Sequence, residues 1–211
     1  DFDYFRLVFA FYRGLRRLGL NVDILAPDVA DLSAYRLVLA PGVATLSDAF
    51  LGSLKAFKGT ALIGPRSNAK TVEFATPVPL PPNLPGLQAV VARVESLPPD
   101  VPVPLEAGGN LLHWREEMDG TAEVAERATD GWPALLRAGG VHYLAGWPDE
   151  VAMDRMLARL CAEQGIAVEV LPEGLRRRDS DTHRFWFNYN PVPVEWGGVV
   201  IPPAGVHWQA L

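Results

Sequence analysis

The sequence has little cysteine, no excess of positive charge and no long apolar run. Cys161 is the only cysteine among 211 residues, which excludes an internal disulfide and favours a reducing, cytoplasmic location. The net charge of −6 argues against nucleic acid as a partner, because duplex binding needs a basic face. No apolar run approaches the roughly 20 residues that span a bilayer, so we also expect no membrane partner.

The side chains that usually carry catalysis or bind metals are not arranged for it. There is no Cys-x-x-Cys, and no two of the four histidines are four residues apart, so we expect no metal and no cofactor. Cys161 falls on the apolar side of a predicted helix, and Ser67 lacks a G-x-S-x-G context. Glu116 and Glu117 are adjacent, which predicts opposite faces of a strand or two solvated carboxylates rather than a catalytic pair. We therefore predict no catalytic residue.

What is present in the first third is an alternation of helices and strands. Apolar spacing predicts a helix over residues 2–18, and strands over 20–25, 36–40 and 60–63 flank a helix over 49–57. This order favours parallel strand pairing in a layered α/β domain. Such a domain normally opens with a buried strand before its first helix. That strand is missing here, so we expect a piece of a longer chain.

The rest of the chain is predicted to form mainly short strands. Prolines cluster at residues 76–85 and 98–104, and the strands predicted over 87–145 would extend the same sheet in antiparallel fashion. A helix follows Pro148 and ends at Gly165. Beyond it the apolar period becomes two, which predicts a domain over 1–165 and a small antiparallel β domain over 166–211.

Strand 183–189 of the second part is apolar on both faces, with Phe185, Trp186 and Phe187 in succession. A strand of this kind is expected to be covered on both sides. Packing inside the core would explain it, and so would a partner domain that covers one side.

One polar loop lies where open α/β sheets bind ligands, at the carboxyl end of a strand. Residues 64–70 contain two cations, a hydroxyl and an amide, and the candidate ligand-binding residues are Arg66, Ser67, Asn68 and Lys70. An anion or a sugar would suit this set. The absence of a glycine-rich phosphate motif favours the alternative, a polar loop end that docks on a neighbouring domain.

Several segments, taken in order, resemble glycoside hydrolase family 42 β-galactosidases. Residues 9–24 (FAFYRGLRRLGLNVDI), 31–41 (DLSAYRLVLAP) and 64–71 (GPRSNAKT) are similar to the middle domain of that family, as are 87–88 and 93–97 (RVESL). Residues 184–190 (RFWFNYN) resemble a strand of its C-terminal β domain.

The resemblance implies a parent enzyme of three parts. A (β/α)₈ barrel would hold two catalytic glutamates, an α/β domain would form trimers, and a small β domain would follow. The implied fold of the middle part is flavodoxin-like, similar to class I glutamine amidotransferases, which place a catalytic cysteine near the position of Pro65 and Arg66. No cysteine lies there, and no family glutamate maps onto this chain.

The function that we predict is therefore that of a non-catalytic C-terminal portion of a β-galactosidase that serves homo-oligomer assembly, a trimer by resemblance, with the catalytic barrel as its missing partner. Two alternatives remain. A divergent amidotransferase-like enzyme would use Ser67 or Cys161, and a carbohydrate-binding module would present Trp147, Trp196 and Trp208 as a flat platform.

Overall fold

The computed structural model describes residues 2–211, which contain three α-helices and fourteen β-strands. The helices are α1 (Tyr4–Arg17), α2 (Asp48–Ala56) and α3 (Glu150–Glu163). The strands are β1 (Leu37–Ala40), β2 (Thr60–Ile63), β3 (Ala89–Ser96), β4 (Val103–Pro104), β5 (Asn110–Gly120), β6 (Glu123–Arg127), β7 (Pro133–Ala138), β8 (Val141–Leu144), β9 (Gly146–Pro148), β10 (Leu175–Asp179), β11 (His183–Asn188), β12 (Val194–Trp196), β13 (Val199–Ile201) and β14 (Val206–Ala210). No helix within 2–211 is long and apolar enough to cross a membrane.

The central sheet has five strands in the order β1-β2-β8-β7-β6. Strands β1, β2 and β8 run parallel, with Leu39 opposite Leu62 and Leu62 opposite His142. Strands β7 and β6 continue the sheet in antiparallel fashion. The predicted parallel pairing of β1 and β2 is therefore confirmed, as is the antiparallel extension for β6 and β7.

The prediction of a flavodoxin-like, class I glutamine amidotransferase-like layered α/β domain is wrong. The chain is 34% strand and 18% helix, and its strands are divided among four sheets. Parallel pairing stops after three strands, because β2 is followed by a long proline-containing excursion rather than by a crossover helix. The alternation of helices and strands is confined to the first 63 residues and does not continue through the rest of the chain.

Strands β3, β5 and β4 form a separate four-stranded sheet with β9, which pairs with β5. The prediction that β3 and β5 extend the central sheet is therefore wrong. Strand β5 is eleven residues long and contains a bulge at Leu112/Arg115, where His113 has a positive φ of 58°. The prolines on either side of β3 lack the N–H that a continuing ladder requires.

Helices α1 and α3 pack together on one face of the central sheet. The carboxylates of Asp3 and Asp149 cap them, accepting from the backbone N–H of Arg6 (3.1 Å) and Ala152 (2.8 Å). Gly14 allows the close approach, because a Cβ there would lie 2.7 Å from Cδ1 of Leu157. Helix α2, capped by Ser47, packs with residues 84–89 on the other face, so the sheet is buried on both sides.

The predicted strand over residues 20–25 is not formed. Residues 20–25 lie outside every ladder, and Ile24 is 87% exposed. Residues 168–171 also form no strand, although Glu169 and Leu171 donate backbone hydrogen bonds to the carbonyls of Leu18 and Arg17, both 3.0 Å long. Apolar composition predicted a strand over residues 20–25, but no neighbouring strand completes a ladder.

The last part of the chain contains a three-stranded antiparallel sheet, β10-β11-β14, and the hairpin β12-β13. A small cluster of Leu171, Leu175, Trp186 and Ile201 holds them together. Trp186 of β11 points into this cluster, whereas Phe185 and Phe187 point away from it and are only half-buried. Within the part of the chain that the structure describes, core packing therefore covers only one face of β11, and cover of the other face by a partner domain stays a prediction.

Candidate functional site

The loop that contains the four predicted ligand-binding residues lies beside the loop that follows β1. The backbone N–H groups of Asn68 and Lys70 donate to the carbonyls of Val43 and Ala44, both at 2.9 Å. Arg66 and Asn68 both have left-handed backbone conformations, with φ values of 63° and 55°, which are uncommon for residues other than glycine. The structure thus brings the predicted residues to the carboxyl edge of the parallel strands, as expected.

Ser67 and Asn68 are occupied by contacts within the chain. Ser67 is fully buried, and its hydroxyl donates to the carbonyl of Ala40 at 3.3 Å. The Asn68 side chain donates to the carbonyl of Pro82 at 3.0 Å and accepts from the N–H of Leu46 at 3.4 Å. Both side chains therefore tie loops together within the chain, and docking of this loop end on a neighbouring domain stays a prediction.

Arg66 and Lys70 make contacts of other kinds than Ser67 and Asn68. The guanidinium of Arg66 lies over the rings of Phe2 and Trp114, 4.6 and 5.0 Å from their centroids, in cation–π geometry. Lys70 is half-buried, and its backbone carbonyl accepts from the Thr45 hydroxyl at 2.9 Å. The cation of Arg66 is thus turned onto aromatic rings, and ligand binding by the four residues stays a prediction.

Sequence reasoning considered Glu116 only as a neighbour of Glu117 and missed that its carboxylate is buried behind this loop. Glu116 lies in β5 and is 2% exposed. It accepts from the Tyr143 hydroxyl (2.5 Å), the Arg66 backbone N–H (2.9 Å) and the Trp114 indole N–H (3.2 Å). One signal could have found it, because Trp114 and Glu116 are two residues apart and share a strand face.

Glu116 joins the second sheet to the central one. Burial raises the pKa of its carboxyl above the ordinary value of 4.5, although the three donors work in the opposite direction. The same carboxylate and burial raise the pKa of Tyr143 well above 10.0, so the phenol keeps its proton. With every oxygen engaged by the protein, Glu116 is a structural connection between β5, β8 and the loop of Arg66.

The candidate nucleophiles have no base beside them. Neither the Ser67 hydroxyl nor the Cys161 thiol makes a hydrogen bond with a histidine or a carboxylate within residues 2–211. Cys161 is fully buried, and burial raises the pKa of its thiol, which disfavours the reactive thiolate. The amidotransferase-like alternative thus lacks both its fold and a nucleophile–base pair among these residues.

Two further carboxylates of the second sheet are engaged in ion pairs. Glu117 pairs with Arg93 at 2.9 Å, and Glu95 pairs with Arg115 at 2.6 Å. A surface hollow of about 780 Å³ between α2 and residues 83–88 has no carboxylate in its lining. Across residues 2–211, no three His, Cys, Asp or Glu side chains are grouped to hold a metal.

The three tryptophans of the carbohydrate-platform alternative are not on one surface. Trp147 is buried in β9 at 5% exposure, Trp196 is half-buried with its indole N–H on Glu169 (3.1 Å), and Trp208 of β14 is 57% exposed. Because they belong to three different sheets, they do not form a shared flat platform.

Comparison with known proteins identifies the family. The profile of the β-galactosidase trimerisation domain matches residues 1–167. The chain belongs to this family of assembly domains, and the resemblance to family 42 β-galactosidases is confirmed.

The individual proteins to which this chain is similar are β-galactosidases. A β-galactosidase of Thermus thermophilus is 40% identical over 205 residues, which are 92% of this chain and 31% of the relative. The crystal structure of a β-galactosidase from the psychrophilic Marinomonas ef1 superposes with a TM-score of 0.91 at 28% identity, covering 99% of this chain and 34% of that one. A Halorubrum lacusprofundi β-galactosidase structure gives a TM-score of 0.88 at 26% identity, with 100% and 36% covered. The chain spans about a third of the length of these relatives.

Proposed function

We propose that this chain assembles a β-galactosidase into a homotrimer, while a barrel elsewhere in the parent enzyme hydrolyses terminal β-D-galactosides. The family match and the names of the relatives support this proposal. Within it, residues 1–165 are the assembly domain and 166–211 a small β domain that leans on it. Arg66, Ser67, Asn68 and Lys70 are then the polar loop end that docks on a neighbouring domain.

The observation that carries the proposal is the clustering of exposed apolar side chains in two separate places. On the outer side of α1, Phe5 and Phe9 are 80% and 57% exposed, and Phe9 stacks on Tyr12. Scattered single apolar side chains are normal on a protein surface, whereas contiguous patches mark interaction sites. We call Phe5, Phe9 and Tyr12 the α1 strip.

A second group of exposed apolar side chains, close together in sequence, lies in the excursion after β2. Val72, Phe74 and Val78 are 75%, 78% and 96% exposed, and we call these three residues the excursion patch. Two different patches are what a cyclic trimer requires, because each subunit contributes two unlike surfaces to head-to-tail interfaces. A two-fold dimer would need only one self-complementary patch.

Sedimentation equilibrium over a range of concentrations tests the proposal. We expect the apparent mass to rise toward three times 23.0 kDa. Replacing Phe5 and Phe9 by Ser should shift association to at least about tenfold higher concentration, equivalent to roughly 1.4 kcal/mol. Lys58→Ser, an exposed change beyond α2, is the matched control. A strict monomer at all concentrations would refute the assembly role.

A further inference from the structure

The outer face of the sheet β10-β11-β14 carries two rows of paired side chains. In one row Arg178 lies opposite Phe185, which lies opposite Trp208; in the other, Arg176 lies opposite Phe187, which lies opposite Val206. Directly opposed residues in antiparallel strands point to the same side of the sheet. We call this surface the aromatic–basic face, and its members are Arg176, Arg178, Phe185, Phe187, Val206 and Trp208.

The aromatic–basic face is open in the part of the chain that the structure describes. Trp208 and Val206 are 57% and 49% exposed, and Tyr189 just beyond β11 is 72% exposed. The rings of Phe185 and Phe187 stack at 6.2 Å between centroids. The opposite side of the same sheet packs against the small core through Leu175 and Trp186. The exposed rings are therefore not part of that core.

The basic members of the face have no acidic partner. Within residues 2–211, no carboxylate lies within 4.0 Å of the guanidinium of Arg176 or Arg178, and Arg176 donates to the carbonyl of Leu175 (2.7 Å). Helix α1 adds charge of the same sign at this edge, because Arg16 donates to the carbonyl of Arg177 at 2.6 Å.

The neighbouring arginines of α1 are better neutralised. Arg17 is paired with Asp154 at 2.6 Å, and Arg13 with Glu150 at 3.4 Å. Burial and the charges of Arg17, Arg13 and Arg16 lower the pKa of Arg176. In a chain of net charge −6, this edge is a local excess of positive charge that a partner could offset.

We propose that the aromatic–basic face is a docking surface for an acidic protein surface with an apolar centre, located in the part of the parent enzyme outside these residues. This inference rests on the proposed function. Exposed aromatic rings beside arginines are the composition of interface cores, and unpaired guanidinium groups select carboxylates.

A second copy of this chain fits the face less well. A two-fold pairing through this face would bring Arg176 and Arg178 against the same arginines of the partner, which is repulsive. The head-to-tail trimer interfaces proposed above use the α1 strip and the excursion patch instead. The relatives supply an alternative occupant, since about two thirds of their length lies outside the matched region. The face therefore belongs to an interface with that larger part.

A thiol-labelling experiment tests the docking directly. The matching region of the Thermus thermophilus β-galactosidase is replaced by this chain to give a chimera, and Val206→Cys is placed in both the chimera and the isolated 211-residue chain. Cys161 is fully buried, so its background reactivity is low. Maleimide adducts at position 206, measured by peptide mass spectrometry, should form at least about tenfold more slowly in the chimera.

Val200→Cys is the matched control, because Val200 is 65% exposed in β13, outside the aromatic–basic face. It should react at similar rates in both proteins. Equal rates for Val206→Cys in the chimera and the isolated chain would overturn the proposal. That result would leave the assembly role intact if the chimera still forms an oligomer, so the two failures are distinguishable.

A charge reversal gives a second readout. Arg178→Glu should lower the melting temperature of the chimera by about 5 °C while moving that of the isolated chain by about 1 °C or less. Lys58→Glu, an exposed change beyond the end of α2, should leave both within about 1 °C. Equal shifts of Arg178→Glu in chimera and isolated chain would show that the face has no external partner.

Discussion

The central sheet and the sheet β10-β11-β14 differ in how their faces are covered. In the central sheet, Leu62 packs toward α1 and α3 while Ala61 and Ile63 pack toward α2, and all three are 0% exposed. In the outer sheet, Trp186 on the inner face is 8% exposed while Trp208 on the other face is 57% exposed. Both sheets have apolar residues on both faces, but only the central sheet is buried on both faces by other residues of this chain.

The contrast distinguishes the sheet that this chain buries by itself from the sheet that needs a partner to cover its second face. A sheet with two apolar faces is stable when both are buried, and an open apolar face is an interaction surface or an aggregation hazard. Stability of the central sheet should therefore be intrinsic, whereas the outer sheet should gain stability from its surroundings in the parent enzyme.

The largest expected effect is in the doubly covered region. Leu157 of α3 is fully buried against Gly14, so Leu157→Ala should lower the free energy of unfolding by about 4 kcal/mol through a cavity that cannot collapse. Val151→Ala on the same helix, where the side chain is 65% exposed, should change it by less than about 0.5 kcal/mol. Urea denaturation measures both, and similar losses would contradict the contrast.

The next largest effect is expected when the two faces of the sheet β10-β11-β14 are compared. Trp186→Ala should cost about 3 kcal/mol, because Trp186 fills the small cluster with Leu175 and Ile201. Trp208→Ala in the isolated chain should cost about 0.5 kcal/mol or less, because its ring is largely solvated. Urea denaturation of both variants checks this, and a Trp208→Ala loss as large as that of Trp186→Ala would mean that the outer face is already covered.

A pH titration tests the connection between the two larger sheets. The pKa of Glu116 is raised by burial, so the folded state keeps a proton that the unfolded state loses above pH 4.5. The contribution of Glu116 to stability is then fully present below pH 4.5 and is lost as the pH rises through the folded-state pKa, by up to about 1.4 kcal/mol per pH unit. Glu116→Gln should abolish this decline, and parallel curves for wild type and variant would contradict it.

A smaller effect of opposite sign is expected at His142 in β8. His142 is 2% exposed, its Nδ1 has no hydrogen-bond partner among residues 2–211, and burial lowers its pKa below 6.5. Its contribution is present above pH 6.5 and is lost as the pH falls through the folded-state pKa, by up to about 1.4 kcal/mol per pH unit. Glu163 partly opposes the shift and so narrows the pH interval over which stability is lost. His142→Leu should flatten the acid limb of the stability curve, and an unchanged limb would count against this assignment.

Local features of this fold could be predicted from the sequence. Strand β2 is found over residues 60–63 as predicted, and α2 covers most of the helix predicted over 49–57, because apolar runs and helical periodicity act within a few residues. The arrangement of strands into sheets could not be predicted, because pairing depends on contacts between distant segments such as β5 and β9. The layered α/β prediction failed for that reason.

The candidate site shows the same limit. The position of residues 64–70 at the strand ends follows from the order of elements, but the burial of Glu116 depends on Tyr143 and Arg66, which are 27 and 50 residues away. Apolar strand 183–189 was predicted to need cover on both sides. The sequence could not say that one side finds no cover within the chain.

Multi-angle light scattering of the chimera with the Thermus thermophilus β-galactosidase tests whether this chain is an assembly domain. We expect the chimera to contain three subunits. A chimera that remains monomeric under conditions in which the unaltered relative assembles would refute the assembly role.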